Sequence, residues 1–280
     1  MTLRKLPEAK NFTRPQSFQW DAPSDVLAKW SEGPMAAEAD DPNTVSIYDI
    51  IGEDFWTGGG FTAKRMGAAL RSIGDNPVTV NVNSPGGDMF EGIAIYNLLR
   101  EHKNEVTINV MGWAASAASI IAMAGDNINM GLGTFMMVHN AWGGVIGNRH
   151  DMRDAADMFD GFDSAIADIY EARTGMGRDD IVKLMDAETF MGPTDAVANG
   201  FADSIDNNLK IPDAENSAGK TEIHAKRRLD ALLAQSNVPR SERRRIIKDA
   251  TGKQDAAGLV TQNAGINPAA LQQLFDTIKI

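Results

Sequence analysis

VTVNVNSPGGDMFEGIAIYNLLREHKNEVTINVMGWAASAASIIAMAG, residues 78–125, is the stretch that decides the fold. VTVNVNS (78–84) alternates apolar and polar residues on β-branched types, which predicts a strand with one buried face. PGGDMFEG (85–92) turns the chain, and IAIYNLLREH (93–102) reads as a helix. VTINVMG (106–112) predicts a second strand, and WAASAASIIAMAG (113–125) a helix of small residues. Strand and helix alternating in this way imply an α/β class with largely parallel pairing.

The same alternation continues outward. VSIYDII (45–51) predicts a strand, GEDFWTGGG (52–60) a glycine-rich turn, and FTAKRMGAALRSIG (61–74) a helix ended by Gly74. FMMVHN (135–140) predicts a fourth strand and AWGGVIGN (141–148) a loop. A long helix runs from His150 to about Arg173, with Gly175 as its cap, and a shorter one follows at 178–185. Met152, Ala156, Phe159, Phe162, Ile166 and Ile169 form an apolar stripe on the long helix, fit either for an interface or for this chain's own core.

Three parts are expected: an arm at 1–44 with at most a short helix near 25–30, an organised domain at 45–206, and a linker with a helical basic tail at 207–280. The tail's helical pieces are predicted at 221–235, 240–250 and 268–278. The formal net charge is -11, but it is uneven. From Asn207 onward there are 12 Lys+Arg against 8 Asp+Glu, so an acidic body precedes a mildly basic tail. The acidic body argues against nucleic acid or an anionic membrane as partner. No apolar run reaches the ~20 residues of a membrane span, and no apolar segment follows the basic start. A cytoplasmic protein is expected. Without cysteine, disulfides and thiolate catalysis are excluded. His102, His139, His150 and His224 are the four histidines, none spaced as a metal pair.

Four segments carry chemistry. In Asn83-Ser84-Pro85-Gly86-Gly87-Asp88, paired glycines let backbone N–H groups point at a negative oxygen, which suits an oxyanion hole or a phosphate cradle equally. A plain tight turn is the bland alternative. In Gly112-Trp113-Ala114-Ala115-Ser116-Ala117-Ala118-Ser119, a strand runs straight into a helix, and Ser116 falls at its first turn. Unpaired N–H groups and the positive helix end favour a nucleophile there, whereas a tightly packed helix with Ser116 as a cap is the alternative. Ser119, one turn on, packs or caps. His139 ends an apolar strand before a glycine-rich loop, where parallel sheets place their sites. In Leu184-Met185-Asp186-Ala187-Glu188-Thr189-Phe190-Met191, either carboxylate is a candidate to orient His139, or simply to solvate a helix end.

Taken together, NSPGG (83–87), GWAASAAS (112–119), MVHNAWGG (137–144) and ETFMGPTDAVANGFAD (188–203) resemble the Clp protease proteolytic subunit family, in its order, across about 46–206. The resemblance implies an α/β fold of repeated β-β-α units like that of ClpP and crotonases, with a protruding handle helix at 150–173. It also implies a serine endopeptidase without cofactor or metal. The family's nucleophile falls on Ser116, its histidine on His139, and its oxyanion donors on the N–H groups of Gly87 and Ala117. The family's acid is normally aspartate. Counting back from A-V-x-x-G (196–200) lands on Glu188, with Asp186 the open alternative. Stacked homo-oligomeric rings acting on protein substrates are implied as well. The arm, the C-terminal extension and the wording E-T-F and G-F-A-D look more like the phage and prophage branch, thought to trim scaffold and capsid precursors inside immature heads. A crotonase-like acyl-thioester enzyme and a non-catalytic assembly protein are the alternatives on the same fold.

Overall fold

In a computed structural model of the chain, the described residues are 41–53, 59–207, 209, 229–230, 233, 238 and 240–251. The arm up to residue 40, the helix expected at 25–30, residues 54–58 of the glycine-rich turn, most of the linker and of the 221–235 piece, His224, and the 268–278 piece lie outside them.

The strands are β1 (Thr44–Ile47), β2 (Val78–Ser84), β3 (Val106–Ala115), β4 (Asn127–Gly131), β5 (Phe135–Val138), β6 (Thr189–Met191) and β7 (Ser204–Asp206). The helices are α1 (Ala63–Ile73), α2 (Met89–Arg100), α3 (Ala117–Ala122), α4 (Arg149–Thr174), α5 (Arg178–Asp186), α6 (Pro193–Ala198) and α7 (Arg240–Thr251). Among the described residues, all seven strands form one sheet, with parallel neighbours in the order β1-β2-β3-β4-β7. β3 is long enough to serve two neighbours on one side. Its residues 107–110 pair with β4, and 113–115 pair in parallel with β5. β6 then closes antiparallel on β5. This is the expected α/β class with largely parallel pairing.

Alternation in β2 and β3 places valines and Ile108 on the inner face, where they are buried with Ile128 and Met130 of β4. The opposite face is polar and in register. Asn109 Nδ2 donates to Asn81 Oδ1 at 3.1 Å, Asn129 Nδ2 to Asn109 Oδ1 at 3.0 Å, and Ser204 Oγ to Asn129 Oδ1 at 2.8 Å. A row of side-chain hydrogen bonds, amide to amide and ended by the Ser204 hydroxyl, therefore crosses β2, β3, β4 and β7.

Local chemistry sets the helix ends. Asp88 caps α2, its carboxylate accepting the N–H of Phe90 at 2.9 Å. Asn148 and Asp151 form a reciprocal capping box at the start of α4, and Gly175, at φ 72° and ψ 6°, ends it. Arg100 of α2 lies 3.5 Å from Asp126, both buried, and Asp126 also accepts the N–H of Val106 at 2.9 Å. Asp126 thus fastens both the end of α2 and the start of β3 to the turn before β4.

One expected element is corrected and one open reading is divided. Trp113–Ala115 extend β3 instead of opening a helix, because they pair with Phe135–Met137. The helix is short, Ala117–Ala122. The apolar stripe of α4 is divided. Phe162, Ile166 and Ile169 are buried in this chain's core and Phe159 packs against it, whereas Met152 and Ala156 are exposed.

The chain divides by its contacts into compact units at 1–218 and 219–280. In the second unit, α7 buries Ile247, and Arg243 pairs with Asp230 at 3.1 Å.

Candidate active site

Three segments meet where β3 ends. β3 passes into Ser116, which stands at φ 56° and ψ -125°, and α3 begins at the next residue. A non-glycine residue in that conformation is strained, and such strain persists only where its surroundings hold it. Here the Ser116 N–H donates to Met137 O on β5 at 3.0 Å, and Ser116 O accepts the N–H groups of Ser119 and Ile120 at 2.9 and 3.3 Å. The turn projects Ser116 Oγ away from the core.

β5 runs parallel beside it and delivers His139 one residue beyond its end. His139 Nε2 lies 2.7 Å from Ser116 Oγ. The imidazole is buried, whereas Ser116 is half-exposed. A base and a hydroxyl at that distance are in direct proton-transfer contact.

The turn after β2 supplies the third wall. Gly86 stands at φ 88° and packs directly on the Ser116 turn. A Cβ there would come within 2.4 Å of Ala115 O and 2.6 Å of Ser116 Cβ. At Gly87, a Cβ would meet Ile51 O at 2.0 Å. Neither position has room for a side chain. The N–H groups of Gly87 and Ala117 donate to no protein acceptor among the described residues. Both residues line one cleft with Ser116 and His139, and Met89, Ile120, Trp142, Ile166 and Tyr170 give it apolar walls.

For the carboxylate, register is informative. β5 and β6 pair Met136 with Met191, Met137 with Phe190, and Val138 with Thr189. His139 follows Val138 and Glu188 precedes Thr189, so both residues leave the same end of this strand pair. Glu188 is exposed, at φ 47°. Asp186 is engaged differently, its Oδ1 accepting from Asn140 Nδ2 at 2.8 Å. Asp163 of α4 accepts the N–H of Ala141 at 2.5 Å. Burial holds the Asp163 carboxyl above its ordinary value, and the charges of Asp160 and Asp186 add to the effect. The loop after His139 is thus held by Asp186 and Asp163.

The structure therefore brings together Ser116, His139, Gly87 and Ala117 around one cleft, and Glu188 is not among the residues lining it. Sequence reading missed Asp163 and Tyr170, since both are ordinary members of a long amphipathic helix. It also left Ser119 without a partner. His102 lies elsewhere, its Nε2 2.7 Å from Asn76 O, and His150 is exposed at the start of α4. Among the described residues, no group of three His, Cys, Asp or Glu side chains is placed to hold a metal, and no helix is long and apolar enough to cross a membrane.

Comparison with known proteins gives a consistent picture. The Clp protease family model matches residues 64–208. The chain is 29% identical over 133 residues to the ATP-dependent Clp protease proteolytic subunit of Deinococcus radiodurans, covering 47% of this chain and 65% of that protein. It is 33% identical over 129 residues to the subunit of the same name from Pleurastrum terricola, covering 45% and 65%. The chain thus spans just under two thirds of the length of these curated relatives. Among solved structures, a ClpP1 mutant from Listeria monocytogenes superimposes with a TM-score of 0.51 at 25% identity, covering 60% of this chain and 92% of that one.

Proposed function

The chain belongs to the Clp protease family, and from that premise we propose that it is a serine endopeptidase, with Ser116 as nucleophile and His139 as base. The observation that carries the reading is the 2.7 Å contact between Ser116 Oγ and His139 Nε2, beside two undirected backbone N–H groups.

The reaction is peptide-bond hydrolysis through an acyl-enzyme. His139 Nε2 takes the Ser116 proton as Oγ bonds to the substrate carbonyl carbon. The carbonyl oxygen becomes an oxyanion and accepts from the N–H groups of Gly87 and Ala117, each donor contributing about 3 kcal/mol to the transition state. The carbon–nitrogen bond breaks as His139 returns the proton to the leaving amine. Water, deprotonated by His139, then hydrolyses the ester and frees Ser116. With Nε2 accepting from Ser116, His139 carries its resting proton on Nδ1, and Glu188 holds that tautomer. No step calls for a cofactor. An oxyanion hole alone would also serve a crotonase-like acyl-thioester enzyme, but such chemistry has no use for a hydroxyl bonded to an imidazole.

Substrates and assembly follow the family resemblance. Homo-oligomeric rings with the sites facing an inner chamber are the proposed state, and the exposed first half of α4, with Met152 and Ala156, is suited to meeting another subunit. The finer role proposed is trimming of phage scaffold and capsid precursors, with the basic tail beyond Asn207 as tether. It is supported by the motif wording and by the division the sequence leads one to expect, an arm at 1–44, a domain at 45–206 and an extension.

Intact-mass measurement after fluorophosphonate treatment tests the chemistry. The parent gains one phosphonyl group and Ser116→Ala gains none. Persistent labelling of the variant would reject Ser116. Removing residues after Asn207 tests the tether: unchanged incorporation into immature heads would reject it.

A further inference from the structure

Behind Ser116 lies a buried chain of hydroxyls that the reaction itself does not employ. Ser119 Oγ is 2.6 Å from Ser116 O, and Tyr170 OH is 2.8 Å from Ser119 Oγ. Ser119 is 0% exposed and Tyr170 1%. The direction of the chain follows from proton counting. A backbone carbonyl only accepts, and a serine hydroxyl has one proton. Ser119 donates that proton to Ser116 O, so Tyr170 must donate to Ser119. Burial pushes the Tyr170 phenol far above its ordinary 10.0, so it stays protonated and able to donate.

The carbonyl at the end of this chain belongs to the peptide group whose other end is the Ala117 N–H. That group is planar, so whatever fixes the oxygen also fixes the direction of the hydrogen. Ser116 has an unfavourable φ and ψ, so its own torsional preference does not hold the plane in place. The N–H groups of Ser119 and Ile120 share the oxygen at 2.9 and 3.3 Å, and the Ser119 hydroxyl is the shortest of the three donors. We propose that Ser119 and Tyr170 are positioning residues that orient and polarise the Ser116–Ala117 peptide group, so that the Ala117 N–H is aimed and strengthened as a donor to the oxyanion.

The inference rests on the reading of Ser116 as nucleophile and adds a role for α4. Hydrogen bonds in series polarise one another, so a donor on the carbonyl oxygen makes the N–H of the same amide a better donor. Tyr170 and Ile166, one turn apart on α4, both line the cleft that holds the oxyanion donors. Tyr170→Phe removes one oxygen and keeps the ring against Phe201, whose centroid lies 5.5 Å away.

The test uses the full chain as parent, Ser119→Ala, Tyr170→Phe and the double variant, with fluorophosphonate labelling followed over time by intact mass. Loss of a whole oxyanion donor slows catalysis by about 10²–10³, so an indirect support is expected to slow labelling about tenfold for Ser119→Ala and about threefold for Tyr170→Phe. Tyr170 acts through Ser119, so the double variant labels no more slowly than Ser119→Ala alone. A second readout is the carbonyl stretch of a carbon-13-labelled acyl-enzyme, which shifts to higher frequency in both single variants as the oxyanion-hole bonds weaken. A merely structural role would leave that frequency unmoved. Parental labelling rates, additive slowing in the double variant, or an unshifted carbonyl would overturn the inference. Should Ser119→Ala not fold, Tyr170→Phe and its carbonyl frequency decide. A parent that never labels would instead overturn the nucleophile reading, and this inference with it.

Discussion

Gly86→Ala puts the packing behind the nucleophile to the test. A methyl at this position would lie 2.4 Å from Ala115 O, 2.6 Å from Ser116 Cβ and 2.9 Å from the Ala117 nitrogen. Real Cβ contacts do not fall below 3.0 Å, so the turn and the Ser116 backbone must separate by about 0.6 Å. All three atoms belong to the nucleophile turn, and none is the end of a flexible side chain. Displacements approaching 1 Å in a reacting constellation cost about 10²-fold in rate, which sets the expected loss of labelling. Stability should also fall, by about 1–2 kcal/mol for the positive φ and about 1–3 kcal/mol for overpacking. The control is Gly175→Ala. It carries a similar strain, φ 72°, with nothing within 4 Å of its Cβ. The control is expected to lose the same stability, about 1–2 kcal/mol, for the positive φ alone and to label as the parent does. Labelling rates and urea midpoints measured on the two variants separate strain from contact. Gly86→Ala that is folded and labels at the parental rate would show that the close approach plays no part in catalysis.

Glu188→Gln is expected to lower peptide hydrolysis by roughly 10²–10⁴, the range expected when the tautomer-holding carboxylate of a triad is neutralised, and Asp186→Asn by much less. Steady-state rates on a fluorogenic peptide decide between the two acids. Removing Asp126 leaves the Arg100 guanidinium buried without its carboxylate, so Asp126→Ala should cost about 3–5 kcal/mol in urea unfolding. Asp163 gives a pH signature. Its folded pKa lies above the ordinary 3.8, so the native state binds the proton more tightly than the unfolded chain. Its contribution is therefore favourable at low pH and lost as pH rises from the ordinary value through the raised one. Thermal midpoints of Asp163→Asn relative to the parent should rise across that window, and a flat difference would contradict the burial argument.

Much of this fold was open to inspection in the residues alone, because β2 and β3 alternate cleanly and two glycines and a serine mark the turns between strand and helix. What escaped has physical reasons. NINMG, the β4 segment, carries asparagines at alternate positions, which weakens its strand signal. Asn129 joins a hydrogen-bonded row that only neighbouring strands can supply, and Asn127 bonds to Glu105. β6 and β7 have three residues each and are defined by partners distant in sequence. Trp113–Ala115 were assigned to a helix because small residues favour helices, and pairing with β5 overrode that preference. The choice between Glu188 and Asp186 is invisible to spacing, since both flank Ala187. It becomes arguable only once Val138 is seen opposite Thr189. Tyr170 carried no signal at all, because nothing in the sequence reports that a helix crosses behind a serine 51 residues away.

The asparagine row also bears on how the sheet assembles. Parallel strands are brought together from far apart in sequence and can dock out of step. A slip of one position would thrust Asn81, Asn109 or Asn129 into the valine layer and turn valines toward water. The carboxamides thus work as an alignment key, penalising wrong matches while remaining content in the right one. A valine in place of Asn109 would leave Thr107 as the polar mark on that side of the paired part of β3, and the strand would lose most of its means of telling inside from outside.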